Sequence, residues 1–323
     1  MTEVRACNDR EEWDEIVLDN GGHPLQLWGW GEVKATHGWR AERVVAREGS
    51  EIAGAAQLLI RHLPKPFKAL VYIPRGPVCV ESKRGVVLNA LVTYVREHHP
   101  ATVLTIEPNW EKADLPEGWR QSSNTILAPR TLILDLERSE EELLAVMAKK
   151  TRQYIRKSAA EVTVRQIKTA TELQECLAIY KQTARRAGFA LHGDDYYEDI
   201  FKELGDHSPV FAAFHGEKMV AFLWLAISNF TAFELYGGVT DEGQEARANY
   251  TLKWQAITMM KKWGISQYDL NGLINDGISA FKQGFADHEN NMVGTFDFPL
   301  SPFYHAWTYG LPAAKKIIRA IKR

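Results

Sequence analysis

The 323-residue sequence contains few cysteines, carries almost no net charge and has no long apolar run. Its three cysteines, Cys7, Cys79 and Cys176, form no CxxC pair and no even framework. They therefore indicate reduced thiols rather than a disulfide scaffold. The formal net charge of −2 gives no overall field of the kind that marks a nucleic-acid-binding protein. The longest uncharged apolar run, 219–230, is shorter than the ~20 residues that a membrane-spanning helix needs.

Several catalytic patterns are missing as well. The histidines show no HxxxH or HxxE spacing beside acids, so no metal site is predicted. No GxSxG motif is present, so a hydrolase triad is unsupported. The charged segment 1–13 lacks the apolar stretch of a signal peptide. These absences favour a packed globular protein of the cytoplasm, and the alternative is a cytoplasmic protein associated with the membrane.

Two segments half a chain apart read alike. Residues 44–56 and 211–223 each consist of an apolar run, a short polar turn containing glycine, and a second apolar run, which is a β-hairpin pattern. Gly49 and Gly216 are separated by 167 residues, about half of the chain. The pattern predicts a duplicated domain, although hairpins are common enough that it leaves an unrelated pair open.

The elements around both hairpins follow the same order of helix, hairpin, strand, helix and strand. The expected elements are 9–18, 70–73, 85–98 and 102–107 in the first half, and 171–187, 194–204, 232–236, 245–263 and 268–270 in the second. This order predicts an α+β protein of two tandem GNAT-like (acyl-CoA N-acyltransferase) domains, 1–138 and 139–301. A C-terminal helix, 302–323, is expected to pack back on the first domain. Ser139 and Glu142 form a capping box that opens a helix running to about Ala160.

The phosphate-binding turn of an acyl-CoA enzyme is absent from both halves. Such a turn is rich in glycine because pyrophosphate binds to backbone N–H groups at a helix N-terminus. The matching stretch of the second half, 241–250 (DEGQEARANY), has acids and a single glycine, and 80–86 (VESKRGV) is no better suited. The sequence thus predicts the fold without its CoA site.

Four short motifs contain the candidate site residues. They are 26–34 (QLWGWGEVK), 183–185 (TAR), 236–238 (YGG) and 277–285 (GISAFKQGF). Lys282 lies between aromatic and glycine residues in a segment expected to be a loop, which favours a fixed charge. Arg185 could instead be a helix C-terminal cation, Tyr236 a core tyrosine and Lys34 an exposed helix residue. Glycines at 237 and 238 are expected to open a crevice after a strand.

Together these motifs resemble the Fem family of non-ribosomal peptidyl transferases, which move an amino acid from aminoacyl-tRNA to a peptidoglycan precursor. The resemblance implies that Lys34 and Arg185 bind the diphosphate of a nucleotide-linked sugar, with Thr183 beside them. It implies that Tyr236 lines the peptide channel. Lys282, held by Phe281 and Phe285, is then the catalytic candidate. The basic segment 151–157 (TRQYIRK) also matches, and the lack of a heptad region points to compact members without a coiled-coil arm.

The reaction implied is aminolysis of the aminoacyl ester, without a cofactor and with aminoacyl-tRNA as co-substrate. The acceptor would be UDP-MurNAc-pentapeptide or lipid II, with peripheral contact at the inner membrane surface, and the process would be cell wall biogenesis and cell shape. Glu107 could act as a base or be a structural carboxylate. The alternatives are an acyl-CoA N-acyltransferase and a silent module that binds precursors or RNA. The basic C-terminal segment 304–323 could pack on the protein or meet lipid or RNA.

Overall fold

The computed structural model describes residues 2–112, 114–274 and 277–310. The chain divides into two compact units, one made of 1–129 and 291–323 and the other of 130–290. In chain order, residues 1–129 contain β1 (Thr2–Ala6), α1 (Arg10–Asp19), α2 (Trp28–Thr36), β2 (Arg40–Glu48), β3 (Glu51–His62), β4 (Ala69–Pro74), α3 (Arg84–His98), β5 (Val103–Glu107) and β6 (Arg120–Gln121).

The elements that follow begin where the chain enters the second unit. They are β7 (Arg130–Thr131), β8 (Ile133–Asp135), α4 (Glu140–Val146), α5 (Lys149–Ser158), β9 (Val162–Gln166), α6 (Ala170–Ala187), α7 (Asp194–Leu204), β10 (Val210–His215), β11 (Lys218–Ile227), β12 (Thr231–Val239), α8 (Asp241–Glu245), α9 (Ala248–Lys262), β13 (Gln267–Asp269), α10 (Gly277–Gln283), β14 (Asn290–Asn291) and β15 (Phe296–Pro299). Residues 304–310 are helical.

Each unit is built on one mixed sheet. The strand order is β1-β2-β3-β4-β5-β15-β6 in the first unit and β9-β10-β11-β12-β13-β8 in the second. In each sheet a single neighbouring pair is parallel, β4 with β5 and β12 with β13. The helix that connects the parallel strands buries its apolar residues in the core, α3 in the first unit and α9 in the second. The predicted α+β class is confirmed.

The two hairpins have the same irregularity at the same place. The register of β2 and β3 shifts after Ala46, and that of β10 and β11 shifts after Ala213, which is 167 residues later. Gly49 and Gly216 open the two turns with φ of +64° and +61°, a region that glycine enters without steric cost. This residue-by-residue match in backbone geometry supports the predicted duplication.

The unit boundaries differ from those expected from the repeat, 138 and 301. Strand β8 follows the first repeat in sequence but is the edge strand of the second sheet, whereas β15 follows the second repeat and pairs with β5 in the first sheet. Each repeat therefore contributes its last strand to the other unit's sheet. Sequence similarity marks where a repeat ends, but not which sheet its terminal strand joins.

Two helices that were expected to be continuous are interrupted. The capping box of Ser139 and Glu142 is present, but the helix it opens ends at Val146 and α5 begins at Lys149. At the end of α4, Arg152 donates from Nη1 to the carbonyl oxygens of Leu144, Ala145 and Met147.

The helix expected over 245–263 is likewise divided into α8 and α9. Arg247, between them, has a φ of +55°, which interrupts the helical backbone. Both breaks depend on contacts or backbone angles that helical periodicity does not reveal.

The described part of the C-terminal segment packs on the first unit. The ring of Phe67 lies 6.5 Å from Phe303 and 5.4 Å from Trp307, and the Tyr304 hydroxyl donates to Asp297 at 3.2 Å. Residues 311–323, with most of the basic side chains of that segment, lie outside the described residues. Within the described ranges, no helix combines the length and the apolarity needed to cross a bilayer.

Candidate functional site

The tryptophan-rich motif 26–34 mainly packs within the first unit. Gln26 is fully buried and accepts a hydrogen bond from the Gln57 N–H at 2.8 Å. Gly31 lies so close to the side chains of Arg43 and Gln57 that a Cβ there would come within 2.4 Å of both. Arg43 in turn pairs with Glu32 at 2.8 Å. Most of this motif therefore docks α2 on β2 and β3.

Lys34 is the cation of this motif. It lies half-buried in the last turn of α2, with Nζ 4.5 Å from the centre of the Trp30 ring. Burial lowers the pKa of the Lys34 ammonium to about 8. Near neutral pH it remains cationic, so it can bind an anion, as the resemblance predicts.

Thr183 is buried and connects α6 to β12. Its hydroxyl accepts from the Val239 N–H at 3.1 Å and donates to the Ile179 carbonyl at 3.0 Å. Gly238 lies within β12, and a Cβ on it would come to 3.0 Å of the Thr183 hydroxyl. The predicted crevice is therefore wrong at Gly238, because the missing side chain leaves room for α6.

Arg185 has a different environment from its neighbour Arg186. Arg186 pairs with Asp241 at 2.8 Å and donates to the Val239 carbonyl at 2.9 Å. Arg185 lies exposed in the last turn of α6 and has no hydrogen bond or ion pair with any residue that the structure describes. Its guanidinium fork is therefore available to a ligand, and two parallel hydrogen bonds to phosphate are its natural use.

Tyr236 belongs to an aromatic cluster between β12 and helices α6 and α7. Its ring centre lies 5.6 Å from Tyr180, 5.1 Å from Tyr197 and 5.8 Å from Trp224. Burial raises the pKa of Tyr236 well above 10, and its hydroxyl hydrogen-bonds to Tyr196. The ring is fixed by these contacts, and its role in a peptide channel stays a prediction.

Lys282 lies on α10, a helix of seven residues, so the expectation of a loop is wrong. Its Nζ donates to the backbone carbonyl of Asn271 at 2.6 Å and approaches that of Gly272 at 3.4 Å. Asn271 adopts a φ of +55°, an uncommon angle for a residue with a side chain. The ammonium is thus held by two carbonyl oxygens on an irregular loop.

The aromatic neighbours of Lys282 do not hold its ammonium as predicted. Phe281 and Phe285 lie 5.3 Å apart, and their ring centres are 4.9 Å and 6.1 Å from that of Tyr250. Both rings face another lysine, Lys253, whose Nζ is 5.3 Å from Phe281 and 5.7 Å from Phe285. The two phenylalanines therefore surround Lys253, and the catalytic assignment of Phe281 stays a prediction.

Lys253 and its partner Glu234 are the residues that sequence reasoning missed. They form an ion pair with 3% and 5% of each residue exposed, and the Tyr268 hydroxyl donates to the same carboxylate at 2.9 Å. Burial lowers the pKa of Lys253, and the nearby Lys282 charge lowers it further, whereas Glu234 opposes both effects. The signal was available, because Ala256 at i+3 and Met260 at i+7 are apolar and share its helix face.

A short chain of contacts joins this buried pair to Lys282. The Asn271 side chain donates to the Glu234 carbonyl at 2.9 Å, while the Asn271 carbonyl accepts from Lys282. Strand β12 also has a register shift here, because Glu234 lies opposite Leu225 and Tyr236 lies opposite Trp224. Bulges of this kind often redirect side chains beside active sites.

The contacts of Glu107 favour a structural carboxylate over a base. It is 2% exposed and accepts from the hydroxyls of Tyr72 and Thr295 and from the N–H groups of Ile126 and Leu127. Both of its oxygens are engaged by groups of the protein, which is the arrangement of a carboxylate that holds a loop in place.

The structure therefore assembles a candidate site in the second unit from Glu234, Lys253, Phe281 and Lys282 around Asn271. Helix α6 carries Thr183 and Arg185 and, through Tyr180, contacts Tyr236. Lys34 belongs to the first unit. Among the described residues, no group of three or more His, Cys, Asp and Glu side chains could hold a metal ion.

Comparison with known proteins gives matches over nearly the whole chain. A model of the FemAB family matches residues 10–123, 118–217 and 215–310. Lipid II:glycine glycyltransferase of Staphylococcus aureus (strain MRSA252) is 23% identical over 413 residues, covering 97% of this chain and 98% of that protein. Because this chain has 323 residues, at least 90 of those positions have a residue in the relative and none here. The shorter chain agrees with the expected compact form.

Solved structures give the same fold. The crystal structure of FemX has a TM-score of 0.84 and 21% identity, covering 94% of this chain and 99% of that one. A tandem GNAT protein from the clavulanic acid biosynthesis pathway has a TM-score of 0.53 and 15% identity, with coverage of 94% and 99%. The predicted fold of two GNAT-like domains is confirmed.

Proposed function

The chain belongs to the FemAB family, and on that basis we propose that it moves an amino acid from aminoacyl-tRNA to a peptidoglycan stem peptide. The membership confirms the resemblance that the motifs indicated. The observation that carries the proposal is the match of lipid II:glycine glycyltransferases to 97% of the chain. The acceptor is UDP-MurNAc-pentapeptide or lipid II.

The reaction is an aminolysis. The stem-peptide amine attacks the aminoacyl carbonyl, the new C–N bond forms, the bond to the ribose 3′ oxygen breaks, and the proton lost by the amine ends on that oxygen. Because the ester is already activated, the protein mainly has to align the two substrates and stabilise the oxyanion. No covalent intermediate with the protein is needed.

Lys282 is the candidate for oxyanion stabilisation. Its ammonium is placed by the carbonyls of Asn271 and Gly272 and lies near the second cation, Lys253. A cation fixed in advance stabilises developing negative charge without reorganising during the reaction. Glu234 offsets the Lys253 charge, so that pair positions the site through Asn271 and does not contact the substrate in this proposal.

Lys34 and Arg185 are the proposed ligands of acceptor phosphate groups. Lys34 supplies a partly buried ammonium, and Arg185 supplies an exposed guanidinium. For the tRNA, helix α5 offers exposed cations that, unlike Arg152, do not bind the carbonyl groups at the end of α4. They are Lys149, Lys150, Arg156 and Lys157. Binding through these side chains would weaken steeply with salt.

The test is a transfer assay with the purified chain. A tRNA pool charged with labelled amino acids is mixed with UDP-MurNAc-pentapeptide or with lipid II in vesicles, and the mass of the acceptor is measured. A gain of one amino acid that RNase abolishes is expected. A gain on lipid II alone would place the protein at the inner membrane surface, and no gain on either acceptor would contradict the proposal.

An acyl-CoA N-acyltransferase is the competing function. In the second unit, a backbone N–H of the turn where pyrophosphate would bind already has a partner within the protein. The Gly243 N–H donates to the Thr240 hydroxyl at 3.0 Å. A Cβ on Gly243 would lie 2.4 Å from the Val220 carbonyl, so this glycine serves close packing. Tight binding of acetyl-CoA would favour the competing function.

A further inference from the structure

The first unit presents an aromatic surface that the proposed function does not use. It lies where the turn between β3 and β4, residues 63–68, meets the C-terminal segment 303–310. The ring centre of Phe67 is 6.5 Å from that of Phe303 and 5.4 Å from that of Trp307. Even with these contacts, 42% of Phe303 is exposed, and 77% of Tyr309. We call Phe67, Phe303, Trp307 and Tyr309 the aromatic surface.

The C-terminal segment is anchored on one side and open on another. Tyr304 is 5% exposed, and its hydroxyl donates to Asp297 at 3.2 Å. Tyr309 follows five residues later in the same helical stretch, which places it on a different side of the helix. The packing of this segment on the first unit therefore does not cover Tyr309. Exposed aromatic residues that lie together mark an interaction surface more often than scattered ones do.

Exposed cations accompany the aromatic surface. Lys65 and Lys68 lie on either side of Phe67 in the turn. Both are exposed, and among the described residues neither side chain forms an ion pair. No Asp or Glu occurs in 52–80, the stretch that contains this turn. The turn therefore carries positive charge that no acid of its own neutralises.

The sequence around and beyond the C-terminal segment is more basic still. Residues 298–323 contain no Asp or Glu, and the part of them outside the described residues contributes five cations to the sequence. They are Lys315, Lys316, Arg319, Lys322 and Arg323. The whole chain has a formal net charge of −2, so this concentration is not a property of its average composition. Charge complementarity points to an anionic partner.

The arrangement of the rings favours lipid over RNA as that partner. Phe67 meets Phe303 and Trp307 at interplanar angles of 84° and 65°. The rings therefore do not present parallel faces of the kind on which successive bases stack. A bilayer surface needs only exposed apolar area beside cations, and tyrosine and tryptophan favour its headgroup region because they combine an apolar ring with a polar group.

We propose that the aromatic surface and its lysines dock the protein on an anionic lipid bilayer. Phe303 and Tyr309 enter the headgroup region, and Lys65 and Lys68 bind the phosphate groups of the lipids. The inference does not rest on the proposed function, because binding to lipid requires no aminoacyl transfer.

Sedimentation of the full chain with vesicles tests the surface. One set contains equal parts of phosphatidylglycerol and phosphatidylcholine, a second contains phosphatidylcholine alone, and neither contains lipid II. Binding to the anionic vesicles is expected. Lys65→Gln combined with Lys68→Gln should weaken it about 10- to 30-fold, because two attractions to the charged surface are lost. Phe303→Ser should weaken it about 3- to 10-fold, because part of an aromatic side chain no longer leaves water.

Phe230→Ser is the matched control for Phe303→Ser. Phe230 is also 42% exposed, but it lies on the turn between β11 and β12 in the second unit. Its substitution should leave vesicle binding unchanged. If Phe303→Ser does not fold by circular dichroism, Tyr309→Ser replaces it, since Tyr309 is the more exposed residue.

The outcomes distinguish lipid from the other partners. Weakening by Phe303→Ser but not by Phe230→Ser would support the proposal. Equal weakening by both, equal binding to the two sets of vesicles, or no binding to either would overturn it. Binding of uncharged tRNA that the double lysine variant weakens, together with no binding to vesicles, would assign these cations to RNA instead.

Discussion

In the part of the chain that the structure describes, each unit buries one glutamate on a strand of its parallel pair, and the two carboxylates have partners of different kinds. Among the described residues, the donors to Glu107 in the first unit are neutral hydroxyl and N–H groups. Glu234 in the second unit accepts from the Lys253 ammonium and the Tyr268 hydroxyl. The two acids lie on different strands of the repeat, Glu107 on β5 and Glu234 on β12, and of the two only Glu234 belongs to a charged network.

The difference indicates how a duplicated fold acquires a single reactive centre. Neutral donors fix Glu107 together with the loop of Ile126 and Leu127, which is a structural task. The Glu234 network extends through Asn271 to Lys282, so a change in its charge reaches the ammonium proposed to act in catalysis. Substitutions in the two networks can show whether the two acids differ in function as their partners suggest.

The largest effect is expected for Glu234→Gln, which leaves the Lys253 ammonium buried without its carboxylate. Breaking a buried ion pair from one side costs about 3–5 kcal/mol, and urea unfolding should show a loss of that size. The double variant Glu234→Gln with Lys253→Met removes both charges and should recover much of the loss. If the single and double variants were equally unstable, the pair would not be the cause.

Next in size is Lys282→Ala in the transfer assay. Loss of an oxyanion-stabilising group typically lowers kcat by about 10²- to 10³-fold, and the KM for the acceptor should change little. Lys262→Ala, at an exposed lysine of α9, is the control and should have no effect. Equal losses in kcat and in acceptor affinity would instead assign Lys282 a binding role.

The comparison also shows which features the sequence reveals. The hairpins followed from alternation of apolar runs with Gly49 and Gly216, because turn chemistry is local. The sequence did not reveal that β8 joins the sheet of the second unit and β15 that of the first, since tertiary packing decides which strands pair. The same holds for the break before α5, where Arg152 binds carbonyls of the preceding helix.

At the site, the motifs indicated which charged residues could bind a ligand. They did not indicate that residues beside them serve packing. Arg185 is exposed as a ligand-binding residue should be, whereas Thr183 and Gly238 serve the packing of α6 on β12. Lys253 was missed because a helical lysine usually lies in solvent. Its position on the same helix face as Ala256 was the signal for its burial.

A smaller effect is expected for Glu107→Gln. The amide keeps one acceptor oxygen but places an NH₂ group against donors, so the free energy of unfolding should fall by about 1–3 kcal/mol. Turnover should remain unchanged, because no cation of the candidate site depends on this acid. Urea unfolding and the transfer assay measure the two quantities. A large loss of kcat without loss of stability would mean that Glu107 is catalytic after all and that the two acids are alike.

The smallest effect is expected for the pH dependence of acceptor binding by Lys34, the proposed phosphate ligand in the first unit. The pKa of Lys34 is about 8 and only its charged form binds phosphate, so acceptor affinity should be nearly constant well below pH 8, reach about half at pH 8 and fall further above it. At pH 9 roughly a tenth of the free lysine is protonated, which predicts a loss of about tenfold. Calorimetry with UDP-MurNAc-pentapeptide at pH 7 and pH 9 measures it. Lys34→Arg, whose pKa is far higher, should remove the pH dependence, and an unchanged dependence would assign it to another group.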